Sequence, residues 1–183
     1  MKYLMKSGVL SCGGKEQALI RGALMGPEKK IYAADGTFLM EAEIRDWSAA
    51  GRKERGGTPS AGEKTKIRRR YLLWDSEGKE CAFAVPEYAA GEDPAVAGWP
   101  LCRLPRIDRA RLDALDQKYC LIMRDSGHYS LETEDGAVWI RVSHRGLDGG
   151  WDIEADGRFS PAFLCGVFIF CRYIEQENEF LIV

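Results

Sequence analysis

The chain has 183 residues, 45% of them hydrophobic, which suits one domain around a sizeable core. Its formal net charge of −2 argues against a protein that is basic throughout, as many nucleic-acid-binding proteins are. The six cysteines form no Cys-x-x-Cys pair and no histidine lies near two of them, so we predict neither a metal site nor a cofactor. Residues 1–6 are too short and too charged for a secretory signal, and scattered cysteines fit a reducing compartment, so we expect a cytoplasmic protein.

The first quarter of the chain reads as short strands separated by turns. Asp35-Gly36 is a strong signal for a β-hairpin. The residues after it alternate between apolar side chains, such as Met40 and Ala42, and charged ones, such as Glu41 and Glu43, which is typical of a strand with one buried face. Predicted strands cover residues 3–6, 17–21, 30–34 and 37–45, and residues 7–15 are predicted to be a loop.

The middle of the chain contains two long irregular segments. Residues 48–63 hold four glycines, one proline and no apolar side chain larger than Ala, so we predict a flexible loop. Strand patterns resume directly after this loop, which favours a single domain over residues 1–183. The second segment, residues 86–105, holds four prolines and is predicted to be a long connection of the kind that is often functional or packed as a flap. Between and after these segments, predicted strands cover residues 64–74 and 79–85, and a short helix is predicted over residues 108–115.

The next part of the chain is a run of predicted hairpins. Turns with Asp and Gly separate segments of alternating apolar residues, which predicts antiparallel neighbours. Predicted strands cover residues 118–124, 128–133, 137–143 and 151–155, and a terminal strand is predicted over residues 180–183. In total the chain holds about a dozen short strands, the pattern of an antiparallel barrel or sandwich.

An apolar segment over residues 160–174 is predicted to be a helix. Ser160 is a favourable N-cap and Pro161 suits the first helical position. The run from Ala162 to Cys171 carries no charge and is apolar on every side, whereas a surface helix would show a polar face. It falls short of the roughly 20 apolar residues that a membrane span needs. A buried strand and a membrane anchor are the alternatives to a buried helix.

Strands with one apolar face and a helix without a polar face are accommodated together when the sheet closes around the helix. We therefore predict a mainly β fold: a closed antiparallel β-barrel of about 12 strands that encloses a C-terminal hydrophobic α-helix. A barrel of this size is roomy enough to hold a helix, whereas an eight-stranded barrel fills with its own side chains.

The order of these elements resembles the tubby C-terminal-like superfamily, which includes LURP-one-related proteins and phospholipid scramblases. The resemblance is carried by residues 3–6, the hairpin of residues 31–44, the strands of residues 129–155 and the helix that follows Phe159-Ser160. It implies a barrel around a late helix, no catalytic signature, and phosphoinositide binding as a possible function. Residues 86–105 depart from the pattern and are interpreted as an insertion of a bacterial branch.

The strongest candidate for a binding site is a basic strand. The window from Arg45 to Arg70 contains nine basic and three acidic residues, a net charge of +6. In a strand, Lys66, Arg68 and Arg70 share one face and, with Lys64 nearby, offer a site for an anionic ligand such as a phospholipid headgroup, because Arg forks match phosphate oxygens. The alternative is a solvated outer face of the barrel.

Two further candidate sites lie elsewhere in the sequence. Tyr88 and Trp99, among the prolines of residues 86–105, are candidates for binding a protein partner. His128 near Asp125, and His144, are candidates for acid–base chemistry, although no third metal ligand is evident. We therefore predict a non-enzymatic binding or scaffold domain; the alternatives are a protein-interaction module that uses residues 86–105, and an enzyme with a histidine-containing site.

Overall fold

The computed structural model describes residues 1–23, 26–46, 69–92, 106–125 and 127–179. These residues form twelve β-strands followed by one α-helix. The strands are β1 (Lys2–Lys6), β2 (Val9–Cys12), β3 (Lys15–Arg21), β4 (Glu28–Ala33), β5 (Phe38–Asp46), β6 (Arg69–Asp75), β7 (Glu80–Tyr88), β8 (Ile107–Ala114), β9 (Gln117–Asp125), β10 (His128–Thr133), β11 (Val138–His144) and β12 (Trp151–Ala155), and the helix is α1 (Pro161–Glu179).

The twelve strands form a closed barrel in which neighbours in sequence are antiparallel neighbours in space. The first and last strands close it: β1 pairs with β12 through Tyr3 opposite Ile153, and with β2 through Met5 opposite Leu10. Closure leaves the sheet without an open edge that another chain might extend. The predicted closed antiparallel barrel of about 12 strands is confirmed.

The helix predicted over residues 108–115 is wrong, because this segment is strand β8. Ala110 and Leu112 point into the barrel and are at most 2% exposed, whereas Arg109 and Arg111 alternate with them on the outside. Leu115, the last residue of the predicted helix, lies in the turn after β8 with a φ of 53°. A sequence of alternating Ala or Leu and charged residues fits both helical and strand spacing, and pairing with β7 and β9 selects the strand.

Two further boundaries differ from the sequence prediction. Residues 7–15 are not one loop, because two tight turns, at Ser7-Gly8 and Gly13-Gly14, leave β2 between them; all four turn residues have positive φ, as hairpin turns of this type require. Strand β7 continues through Pro86 to Tyr88, so the long connection begins at Ala89. The predictions for residues 48–63 and 180–183 lie outside the described residues.

Helix α1 lies inside the barrel, which confirms the predicted enclosed helix. Ser160 caps it as predicted, since the backbone amide of Phe163 donates to Ser160 Oγ over 3.2 Å. Residues on all sides of the helix are buried, including Cys165, Phe170 and Tyr173. No helix of the described residues has the length and apolarity needed to cross a membrane.

The helix extends beyond residue 174 because its polar C-terminal residues bind the rim of the barrel. Asn178 accepts a hydrogen bond from the backbone amide of Ile107 (3.0 Å) and donates one to the carbonyl of Ile107 (2.7 Å). Glu177 forms an ion pair with Arg69 at 3.0 Å. These bonds give the last polar turn fixed partners.

Gly166 allows α1 to approach strand β6. A Cβ atom at this position would lie 2.7 Å from Cδ2 of Leu73, a side chain that is fully buried. Glycine normally weakens a helix by about 1 kcal/mol relative to alanine. Here the missing methyl group leaves room for Leu73.

We expect Gly166→Ala to lower stability, although the same change stabilises most helices. Overpacking against Leu73 costs about 1–3 kcal/mol and outweighs the gain of about 1 kcal/mol in helix propensity. Leu73→Ala alone costs about 2–5 kcal/mol. In the Leu73→Ala background, Gly166→Ala should become stabilising, as urea unfolding of the four proteins will measure. If the effects of the two substitutions on the free energy of unfolding simply add, this result would contradict the contact.

Candidate functional site

The interior of the barrel is occupied, so ligands must bind at its surface. The buried side chains of α1 and the inward residues of the strands form one continuous hydrophobic cluster. Within the described residues, pockets of about 410 and 440 Å³ open at the surface. The outer wall and the loop ends of the barrel therefore hold the candidate sites.

The outer wall of strands β5, β6 and β7 carries a cluster of arginine and aromatic side chains. Tyr71 and Leu73 of β6 pack against α1, so the residues that alternate with them, Arg70 and Trp74, face outward. Leu72, between these two, is 4% exposed although it lies outside the interior cluster. We call Arg45, Arg70, Trp74 and Phe83, together with Glu43, the arginine–aromatic wall.

Two arginines of this wall lie directly opposite each other. Arg45 on β5 and Arg70 on β6 are partners in the strand register. The guanidinium of Arg45 lies 5.4 Å from the ring centre of Trp74, and that of Arg70 lies 5.1 Å from the ring centre of Phe83. Both guanidinium groups are therefore held against aromatic rings, an attractive arrangement for a cation.

Glu43 contacts both an aromatic and a basic residue of the wall. It accepts a hydrogen bond from Trp74 Nε1 at 2.8 Å, and it pairs with Arg45 at 2.5 Å. The indole of Trp74 is thereby fixed beneath the Arg45 guanidinium. The rings and Glu43 orient this part of the wall before any ligand binds.

Of the four predicted anion-binding residues, only Arg70 falls within the described residues, and it lies on the outer wall. Lys64, Lys66 and Arg68 lie outside them, so their predicted role stays a prediction. Arg69, next to Arg70, faces the barrel mouth, where it pairs with Glu177; this carboxylate raises the pKa of Arg69. The run of arginines in the sequence is thus divided between two faces of the sheet.

Sequence reasoning missed the aromatic half of the wall. Trp74 and Phe83 were treated only as strand residues, and their contacts with Arg45 and Arg70 join strands through the register of β5, β6 and β7. The alternation of faces along a strand could have predicted one of these residues, because Trp74 lies four residues after Arg70 and therefore on the same face. Register between strands, which sets Phe83 beside Arg70, is not readable from one strand alone.

Of the two predicted partner-binding residues, Tyr88 falls within the described residues. Tyr88, at the end of β7, is half-buried and packs against the interior cluster. Trp99 lies outside the described residues. Binding of a protein partner by residues 86–105 stays a prediction.

The two histidines do not share a site. His128 is the register partner of Ser143, so His128 and His144 lie on opposite faces of adjacent strands. His128 Nδ1 lies 2.5 Å from Asp125 Oδ1, whereas His144 Nδ1 accepts a hydrogen bond from the amide of Gly146 and its ring packs edge-on against Trp151. In the part of the chain that the structure describes, no group of three His, Cys, Asp or Glu residues is arranged to hold a metal ion.

The cysteines of α1 are structural side chains. Cys165 and Cys171 are fully buried. Burial raises the pKa of Cys165 to about 12 and also raises the pKa of Cys171, so neither thiol ionises near neutral pH. A thiolate is the reactive form, and these two thiols therefore do not serve as nucleophiles.

We expect Cys165 and Cys171 to resist alkylation in the folded protein. Iodoacetamide at pH 8 should leave both thiols unmodified and should modify them once urea unfolds the barrel, as peptide mass spectrometry will show. Cys12, which is half-buried at the end of β2, provides an internal comparison within each sample. Rapid native modification of Cys165 would contradict an enclosed helix.

Two buried tyrosines lie where α1 meets the barrel wall. Tyr173 donates a hydrogen bond to the carbonyl of Pro27 at 2.7 Å, whereas the hydroxyl of Tyr71 lies near the Glu177 carboxylate but forms no hydrogen bond of normal geometry with the described residues. Burial raises the pKa of both phenols, and the charge of Glu177 raises that of Tyr71 further. Above pH 10 the unfolded chain ionises these phenols while the folded one keeps them neutral, so stability falls as pH rises.

Replacement of each tyrosine by phenylalanine should affect stability differently at neutral pH, but should change the pH dependence of stability in the same way at alkaline pH. Tyr173→Phe should cost about 1 kcal/mol at pH 7 because it removes a hydrogen bond. Tyr71→Phe should be close to neutral there. Above pH 10, the free energy of unfolding should fall less steeply with pH in each variant than in the parent, as urea unfolding across that range will measure. The same slope in the parent and the variants would contradict buried neutral phenols.

Comparisons with known protein families, curated proteins and solved structures found no match to this chain. Function is therefore inferred from the side chains of the described residues.

Proposed function

We propose that this protein is a non-enzymatic binding domain that holds an anionic ligand, such as a phospholipid headgroup, on its arginine–aromatic wall. The observation that carries the proposal is the pairing of Arg45 with Arg70 in register on the outer face. Register partners lie side by side on the same face of the sheet, so one anion can contact both guanidinium groups. Guanidinium forks match phosphate oxygens in shape.

The position of the arginines on the wall supports a headgroup ligand. Arg45 and Arg70 lie near the end of β5 and the start of β6, whereas Glu41 and Glu43 lie earlier in β5. The basic end of the wall thus borders the segment of sequence that carries the remaining basic residues of the +6 window. A small phosphate group is compatible with this arrangement, because it needs only the basic end.

We also propose membership of the tubby C-terminal-like superfamily and a cytoplasmic location. The resemblance implies a closed barrel with a late helix inside it, and the twelve strands and α1 have this arrangement. Within that resemblance a phosphoinositide is the natural headgroup to test first. The free thiols of the described cysteines support a reducing compartment.

Vesicle binding tests the proposal. The protein should sediment with phosphatidylcholine vesicles that contain phosphatidylserine or a phosphatidylinositol bisphosphate, and not with phosphatidylcholine alone. Arg45→Gln and Arg70→Gln should each weaken binding by about 1 kcal/mol, roughly fivefold, and added salt should weaken it further. Arg141→Gln, on strand β11, removes an exposed charge elsewhere on the barrel and should leave vesicle binding unchanged.

A soluble competitor distinguishes recognition of a headgroup from general attraction to a charged membrane surface. Inositol trisphosphate should displace the protein from vesicles if the wall recognises the headgroup, and should fail if it recognises only a charged surface. Equal vesicle binding by the parent, Arg45→Gln and Arg70→Gln would overturn the proposal.

A further inference from the structure

An open pocket lies on the side of the barrel opposite the arginine–aromatic wall, around Trp139. A pocket of about 410 Å³ opens on the outer wall of strands β1, β11 and β12. Its volume falls within the range of small-molecule sites, at about 300–1,000 Å³. The side chains used below are Lys2, Val138, Trp139, Arg141, Glu154 and Asp156, and we call this site the Trp139 pocket.

The Trp139 pocket contains a hydrogen-bond donor without an acceptor. The indole Nε1 of Trp139 is buried, and no described residue accepts its proton. A buried donor without a partner costs about 1–3 kcal/mol, so most proteins avoid one. An acceptor that reaches this edge of the indole recovers that cost.

The pocket also contains a guanidinium without a carboxylate. Arg141 is exposed and is the register partner of Glu154, which is the nearest candidate for an ion pair. Glu154 instead pairs with Lys2 at 2.7 Å, on its other side. Among the described residues, no carboxylate lies within 4.0 Å of the Arg141 guanidinium.

The other charged side chains at the pocket are already paired. Arg158 lies 3.8 Å from the ring centre of Trp139 and pairs with Asp156 at 3.4 Å. Lys2 and Glu154 neutralise each other. The amino group of Met1 also lies at the pocket, where it donates to the carbonyl of Ala155 at 2.6 Å. Arg141 is thus the guanidinium at the pocket without a carboxylate partner among the described residues, and the carboxylates of Glu154 and Asp156 disfavour a second negative charge on a ligand.

We propose that the Trp139 pocket binds a small organic monocarboxylic acid with an apolar body. The planar carboxylate matches the fork of Arg141, and its oxygens are acceptors for the donor of Trp139. The carboxylates of Glu154 and Asp156 beside Arg141 disfavour a ligand with a second negative charge. The exposed side chain of Val138, at 40% exposure, and the indole ring offer apolar surface to the rest of the ligand. This site is independent of the arginine–aromatic wall.

Titration with phenylacetate, followed by NMR of the indole N–H groups, tests this site directly. Trp139→Phe keeps an aromatic ring under Arg158 and identifies the indole signal of Trp139 by its loss. Phenylacetate should shift that signal saturably in the parent. Phenylacetamide has nearly the same shape without the charge and should bind at least about tenfold more weakly, because a charged hydrogen bond is lost.

Variants assign the interaction to individual residues. Arg141→Gln should weaken phenylacetate binding about tenfold or more, and Trp139→Phe should weaken it several-fold, as calorimetry will measure. Arg70→Gln, on the arginine–aromatic wall, should leave phenylacetate binding unchanged. Because Arg70→Gln and Arg141→Gln exchange roles as variant and control in the two experiments, failure at one site is distinguishable from failure at the other.

Three results would overturn the proposal. The first is the absence of a saturable shift of the Trp139 signal with phenylacetate. The second is equal affinity of the parent and Arg141→Gln. The third is tighter binding of phenyl phosphate than of phenylacetate at a pH at which the phosphate is a dianion, since this would contradict the preference for one charge.

Discussion

The fold depends on the enclosure of a helix that has no polar face. Helix α1 contacts strands β3, β4, β5 and β8 most closely, and three of these carry inward alanines that are fully buried: Ala18, Ala42 and Ala110. These small side chains leave room for the helix beside the wall, and larger buried residues such as Tyr129 and Ile153 fill other parts of the interior, which is densely packed.

This filled interior determines where binding chemistry is possible. The candidate groups lie outside, on two walls that are about half a barrel apart: the arginine–aromatic wall on β5, β6 and β7, and the Trp139 pocket on β1, β11 and β12. In both places a guanidinium lies against an aromatic ring, as Arg70 does on Phe83 and Arg158 on Trp139. Arginine against a ring is weakly hydrated and oriented, so it binds an anion at a lower ordering cost than a mobile side chain does.

The strands missed or misassigned in the sequence share one physical cause. Strand β8 has apolar residues whose spacing fits a helix as well as a strand, and β2 is four residues long between two glycine turns. Neither has a strong local preference, and both are strands because their neighbours supply hydrogen bonds and an apolar interior. In the same way, Glu177 and Asn178 continue α1 because Arg69 and Ile107 bind them.

Elements with strong local signals are predictable from the amino-acid sequence: the Asp35-Gly36 hairpin, the Ser160 cap and a helix that has to be enclosed. Arg70 is likewise recognisable as a surface cation. Which groups meet depends on the tertiary structure, because strand register is set between chain segments and not within them. Arg45 meets Arg70 across an intervening stretch of 24 residues, and Lys2 draws Glu154 away from Arg141 only because barrel closure joins the first strand to the last.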